Sequence, residues 1–370
     1  MGDVQAHVQD LVERRIGSGD ERGVQVAAYV GGQLLVDVVA GVADPGTGRP
    51  VEHDTPFYNY SIGKGAMSTL VHQQVDCGTF DYDTRVADLW PAFTGHGKER
   101  ITVRHVLTHA AGVPALPAGC TVEDICSWSG MTAALERAEP WWEPGTQVGY
   151  HAYTFGYLAG EIVRRATGRP LADVLRDDLA APLGHPDEIW FGVPPEQTAR
   201  LAVLEDAPSE GDWTAQLPPD LPMFKASPAA VFPTAALGND PRVIAADIPA
   251  GGKVSARAIA KMYAALLGEV DGVRLVSQER LAELSAVGSS GVDLVFGNDS
   301  TWALGYAMGL PGVADDSRSV FGMAGAGGSW AGADVARGLS LAVTKNVLSN
   351  DFETVEAVAR VLTAAVDGPG

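Results

Sequence analysis

Segments typical of β-strands occur near both ends of this chain, and a mainly helical stretch separates them. An alternating run over 23–30 is followed by the turn signal Gly31-Gly32 and a second run over 33–41, which predicts a β-hairpin. Further candidate strands lie toward the C-terminus, at 302–309, 319–323, 328–334 and 338–344. We therefore expect one mainly antiparallel sheet built from both chain ends, with helices at 4–16 and 352–365 covering its faces.

The residues between these ends have the pattern of a helical insertion. Apolar side chains recur at helical spacing, and the helices predicted here are 104–109, 131–139, 153–166 and 171–179; a further helix at 255–267 follows the insertion. Residues 206–252 are rich in Pro, Ala and Gly, which is typical of a segment that covers a site or links parts of a protein. We predict an α+β protein with a sheet domain at 1–75 and 250–370 and a mainly helical insertion domain at 76–249.

The composition argues against several classes of partner and cofactor. A net charge of −20 is unfavourable for binding nucleic acid or an anionic membrane surface. The sparse cysteines Cys77, Cys120 and Cys126 have neither a disulfide framework nor zinc-ligand spacing, and no dinucleotide-binding glycine motif is present, so we expect no metal and no cofactor. No secretory signal and no membrane-spanning run occur, which predicts a cytoplasmic protein; the oligomeric state stays open.

A serine and a lysine stand one helical turn apart where a loop gives way to a helical pattern. Ser61 ends the loop, Lys64 follows three residues later, and Gly78 offers a stop for the helix. An amine beside a hydroxyl can accept the hydroxyl proton, and a helix N-terminus favours developing negative charge. The pair is therefore a candidate for acyl transfer, although a serine is also a common N-cap and such a lysine is often only solvated.

Two other segments fit an acyl-transfer site. Tyr150 lies on a loop before the helix at 153–166, where a phenol can shuttle protons; an ordinary buried aromatic is the alternative. Residues 321–329 are rich in glycine at a predicted strand end, where backbone N–H groups can approach a ligand closely. A tight strand crossing or bulge would have the same composition.

Taken together, these motifs resemble those of the class C β-lactamase-like serine hydrolases, a group that includes carboxylesterases. Ser61-Ile-Gly-Lys64, Tyr150-His-Ala152 and Met323-Ala-Gly325 occur in the order and rough spacing of the three motifs of that family. Leu107-Thr-His-Ala-Ala-Gly112 resembles another segment of the family, and the similarity extends over about residues 20–350. The resemblance implies a β-lactamase-like fold in which the helical insertion carries half of the active-site cleft.

The resemblance also implies catalytic roles. Ser61 would be the nucleophile, Lys64 its general base and Tyr150 a partner in the proton transfers, while the backbone N–H groups of Ser61 and Ala326 would form the oxyanion hole. Lys64 acts as a base only when neutral, so burial and the nearby helix end should lower its pKa.

The third motif departs from the family pattern, because Met323 stands where Lys or His is usual, and Ala152 replaces the usual Asn of the tyrosine motif. Methionine cannot hold an anionic group, which predicts weak or no β-lactamase activity and a preference for small neutral or apolar acyl esters. The predicted substrate-binding residues are Met323, Ala324, Gly325, Ala152 and Trp330.

Other functions remain open at this stage. An acyltransferase that passes the acyl group to an alcohol or amine would use the same three catalytic residues. A binding or sensor protein with a retired site is a further alternative, which the departures at Met323 and Ala152 keep open. His109 and His151 suggest a Ser-His-Asp arrangement, but Ser61 does not lie in a Gly-x-Ser-x-Gly turn, so both are expected to be structural or pocket-lining.

Overall fold

The computed structural model describes residues 2–207, 217–218, 220–311, 318–349 and 351–368. Its strands are β1 Gly23–Val30, β2 Gln33–Asp44, β3 Arg49–Pro50, β4 Phe57–Tyr58, β5 Ile189–Trp190, β6 Glu205–Asp206, β7 Lys253–Val254, β8 Ser289–Val292, β9 Asp299–Trp302, β10 Ala307–Met308, β11 Val320–Gly325, β12 Ser329–Asp334, β13 Leu339–Lys345 and β14 Val347–Leu348. Its α-helices are α1 Gly2–Ser18, α2 Ile62–Asp76, α3 Val86–Leu89, α4 Val103–Leu107, α5 Val122–Cys126, α6 Trp128–Arg137, α7 Thr154–Thr167, α8 Leu171–Val174, α9 Pro222–Ala226, α10 Ala235–Gly238, α11 Pro241–Ala245, α12 Ala256–Leu267, α13 Gln278–Leu284 and α14 Glu353–Asp367.

A nine-stranded sheet organises the protein, with the order β3-β2-β1-β13-β12-β11-β10-β9-β8. Every neighbouring pair in it is antiparallel, and β1 pairs with β13 from Val24↔Lys345 to Val30↔Leu339. The central pair thus joins the two ends of the chain, and the predicted α+β fold with a mainly antiparallel sheet is confirmed.

Side chains of β1 alternate between two buried layers. Val24, Val26 and Ala28 pack in one apolar cluster with residues of α1 and α14, while Ala27 and Tyr29 belong to the larger cluster that contains α2 and α12. Because successive side chains of a strand point to opposite faces, a strand covered by helices on both faces is mostly apolar, and the one polar side chain of β1, Gln25, is buried and hydrogen-bonded. The sheet is therefore the middle layer between two layers of helices.

The predicted strand over 302–309 is wrong, because the chain bends between β9 and β10. Gly305 has φ +85° and lies so close to α2 that a Cβ atom would be 2.2 Å from Ser68 Oγ. Its backbone N–H donates to Leu107 O, and its carbonyl accepts from Ser68 Oγ. This approach ends one strand and begins another, and the hairpin of β8 and β9 was not predicted at all.

The Pro-rich stretch at 206–252 is less irregular than expected, since it contains α9, α10 and α11; its residues 208–216 and 219 lie outside the described residues. Pro222 and Pro241 occupy first turns of helices, where a missing N–H costs nothing. The division into a sheet domain (1–75 and 250–370) and an insertion (76–249) stays a prediction. Within the described chain, no helix combines the length and apolarity needed to cross a membrane.

Candidate active site

Ser61 is the N-cap of α2, and its hydroxyl makes no capping bond. The preceding residue, Tyr60, has φ +46°, a value uncommon for a residue with a side chain. Two N–H groups hold this turn, because Gly63 and Gly252 both donate to the Tyr60 carbonyl at 3.0 and 2.9 Å. The tight turn fixes Ser61 at the end of the helix and leaves its Oγ available for other partners.

Lys64 Nζ lies 2.9 Å from Ser61 Oγ and 3.3 Å from the carbonyl oxygen of Ala250. The side chain is 1% exposed, and burial lowers the pKa of Lys64 to about 7. No carboxylate pairs with it among the described residues, so no ion pair offsets the cost of burying its charge. Near neutral pH a large fraction of Lys64 is therefore uncharged and able to accept a proton.

Gly63 explains how this lysine becomes buried. A Cβ atom at this position would lie 2.3 Å from the backbone nitrogen of Gly252. The absence of a side chain lets the 250–252 segment pack directly on the first turn of α2. That contact covers Lys64 and places the Ala250 carbonyl against its amine.

Tyr150 reaches the same serine from the other side, donating from its hydroxyl to Ser61 Oγ at 2.8 Å. Its ring stacks on Trp302 with centroids 5.4 Å apart and an interplanar angle of 11°. Burial raises the pKa of Tyr150 well above its usual value, and the Asp293 carboxylate adds to the effect. The phenol stays protonated over the physiological range and is a proton donor in the resting site.

The end of β11 lies against the segment that precedes Ser61. At Gly325 a Cβ atom would lie 2.2 Å from the Asn59 carbonyl oxygen, so only glycine fits. Ser61 and Ala326 both line the same cavity, and neither backbone N–H has an acceptor within the part of the chain that the structure describes. Two N–H groups without partners beside a serine hydroxyl have the character of an oxyanion site.

A cavity of about 840 Å³ opens over Ser61 and Tyr150, while Lys64 lies buried behind the serine. Four of the residues predicted to bind substrate line it: Ala152, Met323, Ala324 and Gly325. The aromatic residues in its wall include Phe232, Phe296, Trp302 and Phe352, which the sequence did not single out. No arginine or lysine appears in its wall among the described residues, and its acidic members are Asp206 and Asp293. Met323 itself is 2% exposed and packs against Val148 and Trp302.

Trp330 does not line this cavity, and the expectation that it binds substrate is not met. It lies on β12 in the cluster between the sheet and helices α1 and α14, whereas its neighbours Ala331 and Ala333 face the α2 side. The alternation of side chains along the strand sends the large ring away from Ser61.

Neither candidate histidine contacts Ser61. His151 donates from Nδ1 to the Gly149 carbonyl at 2.7 Å and accepts the Val113 N–H at Nε2, 3.1 Å away. His109 accepts the His151 N–H at Nδ1, and burial lowers its pKa well below its usual value. His151 belongs to the loop that carries Tyr150 (residues 148–153, the tyrosine loop), and His109 contacts that loop from the end of α4, so both rings have a structural role and neither is a base for the serine.

A sequence profile of the β-lactamase family matches residues 6–365. The chain is 32% identical over 356 residues to the esterase/β-lactamase LipL of Mycobacterium tuberculosis, covering 93% of this chain and 80% of that protein. Among solved structures, a family VIII carboxylesterase superposes with a TM-score of 0.87 at 30% identity, with 97% of each chain covered. EstA from Arthrobacter nitroguajacolicus Rue61a superposes with a TM-score of 0.84 at 28% identity, with 96% of each chain covered.

Proposed function

Because this chain belongs to the β-lactamase family and is a serine hydrolase of the carboxylesterase type, we propose that it hydrolyses small neutral or apolar acyl esters through an acyl-enzyme on Ser61. The observation that carries the proposal is the position of Ser61 Oγ, 2.9 Å from Lys64 Nζ and 2.8 Å from Tyr150 OH. A serine held between a low-pKa amine and a protonated phenol is an activated nucleophile.

In the acylation step, the Tyr150 hydroxyl donates to Ser61 Oγ, which leaves the serine proton free to point at neutral Lys64. Oγ attacks the ester carbonyl carbon while its proton moves to Lys64 Nζ. The carbonyl oxygen becomes an oxyanion that accepts the N–H groups of Ser61 and Ala326. Collapse of this intermediate breaks the bond to the alcohol oxygen, which leaves with a proton delivered through Tyr150 and supplied by Lys64.

Deacylation reverses the same proton path. A water molecule attacks the acyl carbon, and Lys64, neutral again after the alcohol has left, receives the water proton through Tyr150. The ester oxygen of Ser61 then departs with a proton and restores the resting hydroxyl. The proton that Lys64 accepts from Ser61 in the first half leaves with the alcohol, and the proton that it accepts from water in the second half returns to Ser61, so each half balances without another acid or base.

The wall of the cavity supports neutral substrates. No arginine or lysine in the described wall offers a partner for a substrate carboxylate. Met323 lines the cavity at the position where Lys or His is usual in the class C β-lactamase-like hydrolases. The carboxylates of Asp206 and Asp293 would repel an anionic group. The relative LipL bears the name esterase/β-lactamase, so penicillin turnover is the discriminating comparison.

The test is intact-protein mass after brief exposure to a short-chain p-nitrophenyl ester, with wild type and Ser61→Ala compared. We expect a transient acyl adduct with release of nitrophenolate in the wild type and neither in Ser61→Ala. Benzylpenicillin should be turned over far more slowly than the ester; equal rates would contradict the proposed preference. A folded wild type without an adduct at several acyl lengths would overturn the esterase proposal.

Addition of an alcohol to the same assay separates hydrolysis from acyl transfer. A hydrolase should release mostly free acid as the alcohol concentration rises, whereas an acyltransferase should divert most of the acyl group to the new ester. The proposed esterase predicts the first outcome.

A further inference from the structure

We propose that Asp293 and His109 are positioning residues that hold the backbone of Tyr150 so that its hydroxyl stays on Ser61 Oγ. The inference rests on the proposed role of Tyr150 in proton transfer. Two consecutive backbone N–H groups of the tyrosine loop donate hydrogen bonds to buried side chains. Tyr150 N–H donates to Asp293 Oδ2 at 2.8 Å, and His151 N–H donates to His109 Nδ1 at 3.1 Å.

The two acceptors come from different parts of the fold and approach the loop together. Asp293 follows β8, and His109 follows α4. Backbone bonds accompany both contacts, because Leu294 N–H donates to the Val148 carbonyl at 3.0 Å and Gly149 N–H donates to the His109 carbonyl at 3.1 Å. The loop that carries the phenol is thus bound along both edges just before α7 begins.

Asp293 accepts three backbone N–H groups. Its Oδ1 accepts the N–H groups of Val295 and Phe296 at 2.8 and 2.9 Å, and its Oδ2 accepts Tyr150 N–H. Burial raises the pKa of Asp293, whereas the three N–H donors act in the opposite direction and favour the ionised carboxylate. The residue is 2% exposed, so the bonds are shielded from competition by solvent.

His109 is suited to this task only as a neutral ring. Its Nδ1 accepts a backbone N–H, so the ring proton must lie on Nε2. Burial, His151 and Lys64 all lower the pKa of His109, which keeps that tautomer uncharged. The ring also packs against Trp302 and Tyr150, with centroids 4.2 and 4.9 Å away, and so contacts the phenol ring as well as the backbone of its loop.

The decisive experiment is a double-mutant cycle between Asp293→Asn and Tyr150→Phe. An asparagine keeps one acceptor oxygen, which two N–H donors already share, and turns an NH₂ group toward Tyr150 N–H. For a short-chain p-nitrophenyl ester, we expect Asp293→Asn to lower kcat by about tenfold or more with KM changed by less than about threefold. In the Tyr150→Phe background the same substitution should lower kcat by less than about twofold, because the hydroxyl that it positions is gone.

His109→Phe keeps an aromatic ring at this site and removes the Nδ1 acceptor. It should likewise lower kcat in the wild-type background and have little effect in the Tyr150→Phe background. Asp299→Asn, an exposed carboxylate on β9, is the matched control and should leave kcat and KM unchanged. Melting temperatures establish that each variant is folded. An equal loss of kcat in both backgrounds, or no loss in the wild-type background, would overturn the proposal.

Fluorine NMR tests the positioning of Tyr150 without relying on turnover. With 3-fluorotyrosine at position 150, the fluorine resonance of the otherwise unchanged protein should be single and narrow. Asp293→Asn and His109→Phe should broaden or split it, and Asp299→Asn should not. Unaltered spectra in both test variants would overturn the positioning role, whereas failure of the wild type to turn over any ester would overturn only the proposed function.

Discussion

At the scale of single residues, the chemistry of this site depends on how far burial changes Lys64. The amine is enclosed by the 250–252 segment and the Tyr150 ring, whose centroid lies 4.9 Å from Nζ. A charged amine in such surroundings loses hydration without gaining an anion, so the neutral form is favoured. The same enclosure raises the pKa of Tyr150, and the two groups are left in the protonation states that base and acid require.

The first prediction concerns the pH dependence of kcat/KM. Lys64 accepts the serine proton only when neutral, and its pKa is about 7, so activity should rise as pH increases through about 7 and fall away below it. Tyr150 acts in its protonated form and its pKa is raised, so no loss should follow up to about pH 9. The profile, measured by pH-stat on a neutral ester, would contradict this role if it were flat between about pH 5 and 9.

At the scale of elements, the site depends on how closely β11 approaches the turn before α2. Gly325 touches the Asn59 carbonyl, and the next residue, Ala326, offers its N–H to the cavity. Beyond it, Gly327 and Gly328 have φ values of +97° and +90° and lie against Leu348 and the Asp351 carbonyl. The turn between β11 and β12 is therefore confined on both sides, which fixes the position of the Ala326 N–H that we propose as an oxyanion donor.

The second prediction is that Gly325→Ala lowers kcat by about a hundredfold while the protein remains folded. The added methyl group would lie 2.2 Å from the Asn59 oxygen, so the strand end must move away and take the Ala326 N–H with it. Loss of one oxyanion donor typically costs about 10²–10³ in kcat. Gly17→Ala, where a methyl group meets no atom within 4 Å, is the control and should leave kcat unchanged. A folded Gly325→Ala with wild-type kcat would refute the role of this approach.

At the scale of the whole molecule, a buried ion pair joins the N-terminal and C-terminal parts of the chain. Lys345 Nζ at the end of β13 lies 2.8 Å from Glu21 Oε1, and both side chains are 2% exposed. Thr354 of α14 donates to the same oxygen, and the lysine also donates to Ser349, which lines the cavity. The pair therefore links the start of β1, the end of β13 and the C-terminal helix.

The third prediction is that Lys345→Met lowers the free energy of unfolding by about 3–5 kcal/mol, because the buried Glu21 loses its partner. Combining it with Glu21→Gln should recover part of the loss, since no charge is then left buried. The control is Arg85→Met, which removes an ion pair whose side chains are 62% and 48% exposed and should change the free energy of unfolding far less, because solvent screens the exposed pair. Urea denaturation measures all three, and equal losses for Lys345→Met and Arg85→Met would contradict the prediction.

Local patterns in the sequence determined much of the fold and identified Ser61, Lys64 and Tyr150 as candidate site residues. The hairpin at 23–41 and the final helix were predictable because alternation and helical spacing are properties of neighbouring residues. The predicted residues Ser61, Lys64 and Tyr150 do come together. Residues that sequence reasoning missed had no such pattern: Asp293 supports Tyr150 from 143 residues away, with no local signal to mark it.

Tertiary structure alone decided the features that depend on register and enclosure. Trp330 lies on one face of the sheet because of the register in which β12 pairs with β11 and β13. A shift of that register by one residue would move its side chain to the other face. The pKa of Lys64 follows from the packing of the 250–252 segment on Gly63, and the bend at Gly305 from the proximity of Ser68. Each is a contact between residues distant in sequence, which no local spacing records.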